Sequence, residues 1–264
     1  MDFFSMFFDP ASAAIVLVPL LLTCVALWFS CQAKWNVLFR DLGVPLGLFG
    51  SVIGATGVVL NLKDPEIVGP ITGIMLLTIT YGGILSALGH FSMFKRSEQL
   101  SPNNQQVASW KAIILILVPF MGSVGYAIET AMGFATFHNP IALSVFGTTI
   151  IVATFLSDSH YRVAVLCQAS LLSAMISLVL GLVVLYTSFS GEGLNEGMYK
   201  GLGIAMSGIN YGLLSYITIY IVSYKFGTTE RIDSSLMNWH WMEVTGFLFF
   251  MFFAPETLRE SLLH

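Results

Sequence analysis

Long apolar runs separated by short polar segments make up almost the whole chain. A helix needs roughly 20 apolar residues to cross the hydrocarbon core of a bilayer, and eight runs approach this length. They cover approximately residues 11–31, 43–61, 68–91, 109–136, 140–157, 163–188, 199–224 and 240–254. The connections between them are too short for a folded domain, so the pattern predicts an all-α integral membrane protein of about eight transmembrane helices.

Composition agrees with this class. Of the 264 residues, 56% are hydrophobic and 10% are charged, whereas soluble domains carry about 25% charged residues. The net charge of −4 offers no basic surface for nucleic acid. The cysteines Cys24, Cys31 and Cys167 lack the spacing of a metal or redox site. The sequence contains no catalytic signature, so we expect a protein that is not an enzyme and needs no metal or cofactor.

Lysine and arginine predict the orientation, because they are retained on the cytoplasmic side of short loops. If the N-terminus is outside, the inner segments hold eight of the eleven basic residues. The outer segments hold the other three, which are Lys63, Lys200 and Arg259. The N-terminal MDFFSMFFDP has no basic residue, so we expect no cleaved signal peptide. With an even number of spans, both termini are expected outside.

Three stretches recur in the same order along the chain. GIMLLTITYG from Gly73 matches GIAMSGINYG from Gly203, GVVL from Gly57 matches GLVVL from Gly181, and FFDPASAAIVL matches TFHNPIALSVF. These matches predict two parallel repeats rather than inverted ones. We assign the first repeat of three spans to residues 1–92, a cytoplasmic linker to 93–108, the second repeat of four spans to 109–226, and a linker with the last span to 227–264.

The first repeat resembles the MotA/TolQ/ExbB family of ion-driven membrane motors. The inner helix pair of that family reads approximately GTxxG, then DPxxxGP, then LLTTLYG. This chain has GSVIG from Gly50, DPEIVGP from Asp64 and LLTITYG from Leu76. The chain differs at Ser51 and Ile79, where the family has Thr. It also has about a dozen residues where MotA and ExbB carry a large cytoplasmic domain.

The resemblance implies a function and partners. In the family, these helices form a homo-oligomeric ring around single-span partner helices that carry an essential Asp. Ions load that Asp and drive rotation. By this resemblance we expect an H⁺ or Na⁺ channel-forming subunit in the bacterial inner membrane, with a MotB/ExbD/TolR-like single-span partner. The chain would then be a minimal, internally duplicated member of the family.

Polar side chains on the apolar helices are the candidate ion pathway. They are Ser51, Thr78, Thr80, Tyr81, Glu129, Asn210 and Tyr211. Thr78 and Thr80 lie about 200° apart around a helix, so only one can face a pore, and the family pattern favours Thr78. Glu129 is the acid that lies best inside a predicted span, and such acids are usually functional. Alternatively, each hydroxyl bonds its own helix or a neighbouring helix.

Five glycines of the first repeat predict close helix packing. They are Gly50, Gly54, Gly57, Gly69 and Gly73. In the second repeat, Met175 is aligned with Ser51 and Gly208 with Thr78, so we expect that repeat to contribute packing rather than ion contacts.

Two other functions stay open: a stand-alone carrier of a small solute or ion, and a non-conducting structural subunit with the family fold.

Overall fold

The computed structural model describes residues 10–60, 65–94, 107–131, 133–159, 161–188 and 196–226. Regular structure within these ranges is entirely helical. The helices are α1 Pro10–Cys31, α2 Trp35–Leu60, α3 Pro65–Phe94, α4 Trp110–Ala131, α5 Phe134–Phe137, α6 Pro140–Leu156, α7 Arg162–Thr187 and α8 Glu196–Phe226.

Five helices of the described part, α1, α2, α4, α7 and α8, are long and apolar enough to cross a membrane. Shorter apolar stretches lie in α3, at Gly73–Gly89, and in α6, at Pro140–Leu156. The all-α membrane class therefore agrees with the structure, but the described residues give five full-length spans rather than eight. The predicted last span, 240–254, lies outside the described residues.

The second span begins earlier than the sequence predicted. Helix α2 starts at Trp35, so the connection after α1 is only residues 32–34. The predicted start at residue 43 was wrong because the charges of Arg40 and Asp41 indicated a loop. In the structure these two side chains form an ion pair, with 2.5 Å between Arg40 Nε and Asp41 Oδ1, and paired charges can remain within a helix.

The predicted fourth span, 109–136, ends early, at Ala131. Gly133 has a φ of +73°, and its N–H donates to the Ile128 carbonyl at 2.9 Å. A left-handed glycine of this kind ends a helix. Helix α6 then begins at Pro140, and the Asn139 side chain accepts the first free N–H groups of that helix.

The helices belong to two compact units. The first unit contains α1 to α4 and the end of α8 from Tyr216. The second unit contains α5 to α7 and α8 as far as Ser215. In the first unit α2 is the most enclosed helix, with Leu38, Leu42 and Val52 fully buried. In each unit, the candidate polar residues therefore lie on apolar helices that pack within that unit.

Candidate functional site

In the first unit, α2 and α3 approach until their backbones are nearly in contact. A methyl group built on Gly47 would lie 2.8 Å from the Thr78 carbonyl oxygen and 2.9 Å from the Gly82 Cα. One built on Gly54 would lie 3.0 Å from the Met75 Cβ. Residues with increasing numbers along α2 contact residues with decreasing numbers along α3, so the two helices are antiparallel. Only small residues allow helices to pack this closely.

The predicted packing glycines have different surroundings. Gly50 and Gly54 lie at the α2–α3 contact, and Gly57 is buried in α2. Gly73 is exposed, and a methyl group there would meet no described atom within 4 Å. The surroundings of Gly69 lie outside the described residues.

Four glycines at the α2–α3 contact were missed from the sequence: Gly43, Gly47, Gly82 and Gly89. Gly43 and Gly47 are four residues apart, which places them on one helix face. That spacing was the signal available in the sequence.

The threonines of α3 point in different directions. Thr78 is fully buried, and its hydroxyl donates to the Met75 carbonyl at 2.9 Å. Thr80 is exposed, and its hydroxyl donates to the Leu76 carbonyl at 2.7 Å. Both hydroxyls thus bond their own helix, which is the alternative left open from the sequence. A hydroxyl oxygen that donates still has lone pairs for a further ligand.

Ser51 differs from these threonines. Its side chain is 1% exposed, and its hydroxyl has no hydrogen-bond partner among the described residues. It follows Gly50, where a methyl group would lie 3.0 Å from the Thr78 Cγ2. A buried hydroxyl without a partner costs about 1–3 kcal/mol. Ser51 is therefore a polar group that a ligand would stabilise.

Glu129 and Tyr81 lie in less enclosed positions. The early end of α4 places Glu129 in the last turn of that helix, where its side chain is exposed. The sequence had placed this acid well inside a span because it missed the helix end at Gly133. Tyr81 is half-buried in α3.

In the second unit, Tyr211 anchors the turn before α6. Its hydroxyl donates to the Phe137 carbonyl at 2.5 Å and accepts from the Asn139 N–H at 3.0 Å. The Phe137 and Tyr211 rings meet edge to face, with 5.1 Å between their centres. The neighbouring Asn210 is 1% exposed, and its amide nitrogen and oxygen have no partner within the described chain. Tyr211 is thus satisfied by structural bonds, whereas Asn210 is not.

A buried polar cluster in the first unit was missed from the sequence. Asp41 accepts a hydrogen bond from the Tyr220 hydroxyl at 2.6 Å and pairs with Arg40, whose side chain is 10% exposed. The Ser86 hydroxyl donates to the Arg40 carbonyl at 2.9 Å. The cluster therefore joins α2, α3 and α8. Tyr220 and Tyr224 are spaced four apart on one face of α8, which was the available signal.

We expect Tyr220→Phe to lower the free energy of unfolding by about 1.5–3 kcal/mol, the usual worth of a hydrogen bond to a charged group. The reason is that Asp41 would lose its tyrosine donor while remaining largely buried. Denaturant unfolding in detergent measures the change. Tyr126→Phe is the control, because Tyr126 is 75% exposed. Equal unfolding midpoints for the two variants would show that the cluster adds no stability.

The chain is similar to chemotaxis protein PomA of Vibrio alginolyticus, with 30% identity over 77 residues. The match covers 29% of this chain and 29% of PomA. No family model matches the chain, and no solved structure matches it. The shared segment supports the resemblance to the MotA/TolQ/ExbB family that the motifs of the first repeat indicate.

Proposed function

We propose that the chain is the ion-channel-forming subunit of a complex driven by an ion gradient, as a motor or an energy transducer. It would assemble as a ring in the bacterial inner membrane and act with a single-span acidic partner. The partial match to PomA supports this proposal, as do the five helices within the described ranges that could cross a membrane. The transported ion would be H⁺ or Na⁺.

The observation that carries the proposal is the placement of Ser51 and Thr78. Both are buried hydroxyls on apolar helices, in the segment that resembles the inner helix pair of the family. Gly50 brings the two helices together beside them. Ser51 has no partner in the described chain, so its oxygen is free to contact an ion or a protonated group. An ion path would then pass beside the α2–α3 pair, within reach of these two hydroxyls.

The acids of the described spans support the need for a partner. Asp41 is bonded to Arg40 and Tyr220, Glu129 is exposed, and Glu196 pairs with Lys200 at 2.8 Å on the surface. Among the side chains that the structure describes in these helices, no carboxylate is both buried and unpaired. An ion-driven machine needs such a titratable group in its path, and a partner helix would supply it.

The helix lengths favour two parallel repeats. Helices α2 and α7 each have 26 residues, and α3 and α8 have 30 and 31. Each pair follows a helix that opens with proline, α1 in the first unit and α6 in the second. We propose that α1 to α3 correspond to α6 to α8 as copies of one unit.

A non-conducting structural subunit is the second candidate. The observation that favours it is the bonding of Thr78 and Thr80 to their own helix. Purification of the tagged chain after cross-linking in native membranes separates the two candidates. A channel subunit is expected to retain a single-span protein with an acid in its span, cross-linked to cysteines placed on α2 or α3. Reproducible absence of such a partner would remove the main support for the channel.

The basic residues also predict a topology that can be measured. With both termini outside, single cysteines in 92–108 are expected to resist a membrane-impermeant thiol reagent, and those in 189–198 to react. The background is a variant without Cys24, Cys31 and Cys167. Labelling after permeabilisation controls for buried positions. The reverse pattern would invert every inside and outside assignment above.

A further inference from the structure

We propose that the second unit keeps a hydroxyl at the position that corresponds to Thr78, carried by the opposite helix of the pair. This hydroxyl is Ser177 on α7, which faces Gly208 on α8. It would serve as a second contact for the transported monovalent cation or for a protonated group in its path. The inference rests on the proposed ion-channel function.

The first support is a contact that recurs in both helix pairs. A methyl group on Gly82 would lie 2.7 Å from the Gly47 Cα and 3.0 Å from the Gly47 N. In the second unit, one on Gly212 would lie 2.7 Å from the Ala174 Cβ and 3.3 Å from the Ala174 N. Gly212 follows Gly82 by 130 positions, and Ala174 follows Gly47 by 127.

A second contact gives the same two shifts in residue number between the first unit and the second. Gly54 meets Met75 in the first unit, at 3.0 Å from the built methyl to the Met75 Cβ. Gly181 meets Ala205 in the second, at 2.6 Å to the Ala205 Cβ. Here too the first helix shifts by 127 positions and the second by 130. The ends of α7 also follow those of α2 by 127 positions.

These shifts replace the alignment drawn from the sequence. Matching GVVL with GLVVL paired Gly57 with Gly181, which placed Met175 at the position of Ser51. The contacts instead pair Gly181 with Gly54, three residues earlier. The position of Gly50 then corresponds to Ser177 in the second unit. Short apolar stretches resemble one another too closely for sequence comparison alone to determine which residues of the two units correspond.

With the new register, the hydroxyl and the glycine have exchanged helices. In the first unit the glycine is Gly50 on α2, and the hydroxyl is Thr78 on α3. In the second unit the hydroxyl is Ser177 on α7, and the glycine is Gly208 on α8. Each of these two contacts has room for only one side chain beside the glycine. In both units that side chain carries a hydroxyl group.

The burial and hydrogen bonding of the Ser177 hydroxyl give independent support for a ligand at this position. The side chain is fully buried, and its oxygen has no hydrogen-bond partner within the described part of the chain. Other serines of α7 are satisfied: Ser170 donates to Leu166, and Ser173 donates to Ser170. A serine kept buried and unbonded beside a glycine is available to an ion, a water molecule or an acid.

The first test compares Ser177→Ala with Ser173→Ala in a gradient-driven ion-flux assay. Both serines are fully buried, but only Ser173 has its hydrogen bond inside the helix. We expect Ser177→Ala to lower the flux at least about fivefold, the factor that corresponds to a lost contact of about 1 kcal/mol. Ser173→Ala is expected to keep the wild-type flux. Wild-type flux in Ser177→Ala would overturn the inference.

The second test examines the proposed correspondence between the two units by measuring the yield of folded protein. Gly208→Thr alone would place a Cβ on top of the Ser177 side chain, so we expect loss of folded protein. Adding Ser177→Gly recreates the arrangement of Gly50 and Thr78, and is expected to restore both folded yield and flux. A double variant that folds no better than Gly208→Thr would overturn the proposed register.

The outcomes also separate this inference from the proposed function. If Thr78→Ala lowers the flux and Ser177→Ala does not, the inference is wrong and the channel function stands. If the wild-type chain with its partner gives no ion flux, the channel function itself is overturned. If the wild type conducts and both variants keep its flux, the inference is wrong.

Discussion

Gly82→Ala is expected to destabilise the protein strongly, whereas Gly83→Ala should leave it at least as stable as the wild type. A methyl group on Gly82 would meet the Gly43 carbonyl oxygen and lie 2.7 Å from the Gly47 Cα. These are backbone atoms that cannot rotate away, so α2 and α3 would have to separate. Overpacking of this kind costs about 1–3 kcal/mol, occasionally more. A methyl group on Gly83 would meet no described atom within 4 Å.

The adjacent pair provides its own control. Both substitutions raise helix propensity by about 1 kcal/mol, so the difference between them isolates the packing at Gly82. Unfolding midpoints in detergent, together with the yield of folded protein, measure this difference. Equal midpoints would show that α2 and α3 do not pack as closely as the structure indicates.

Ser51→Ala and Thr78→Ala are expected to reduce ion-driven activity most strongly. Removing the Ser51 hydroxyl takes away a buried group that has no partner among the described residues, so the protein should become no less stable while its ion flux falls. A purely structural residue would show the opposite relation, with stability lost and flux kept. We expect a reduction of about tenfold for each variant, in line with one lost contact to a charged group of about 1.5 kcal/mol.

Thr56→Ala is the matched control for these variants. Thr56 is a buried threonine whose hydroxyl donates to the Val52 carbonyl at 2.8 Å, and we assign it to packing. Flux is measured in vesicles from native membranes at equal amounts of the chain. If Thr78→Ala has the same flux as Thr56→Ala and wild type, the pore role of Thr78 is wrong.

The sequence predicted the helical class because apolar length decides whether a segment can span a bilayer. It misjudged helix ends where one local interaction decides them. The ion pair of Arg40 and Asp41 lets α2 start earlier, and the left-handed Gly133 ends α4 earlier. Neither a salt bridge between neighbours nor a positive φ can be read from hydropathy.

The candidate site was predicted in part. Family motifs drew attention to Ser51, which is buried and has no hydrogen-bond partner in the part of the chain that the structure describes. They did not indicate the bond between Asp41 and Tyr220, because those residues are 179 positions apart. They also did not indicate that Tyr211 bonds the turn before α6. Contacts between distant segments depend on the packing of helices, which periodicity alone does not determine.

Ion flux through the purified complex would show whether the chain forms an ion channel with its partner. Vesicles that contain the chain with its cross-linked partner would be given an H⁺ gradient and, separately, a Na⁺ gradient, and influx would be recorded. We predict influx of one of these ions that requires the partner's acidic residue and falls about tenfold in Thr78→Ala. Equal influx with and without the partner, or no influx of either ion, would contradict it.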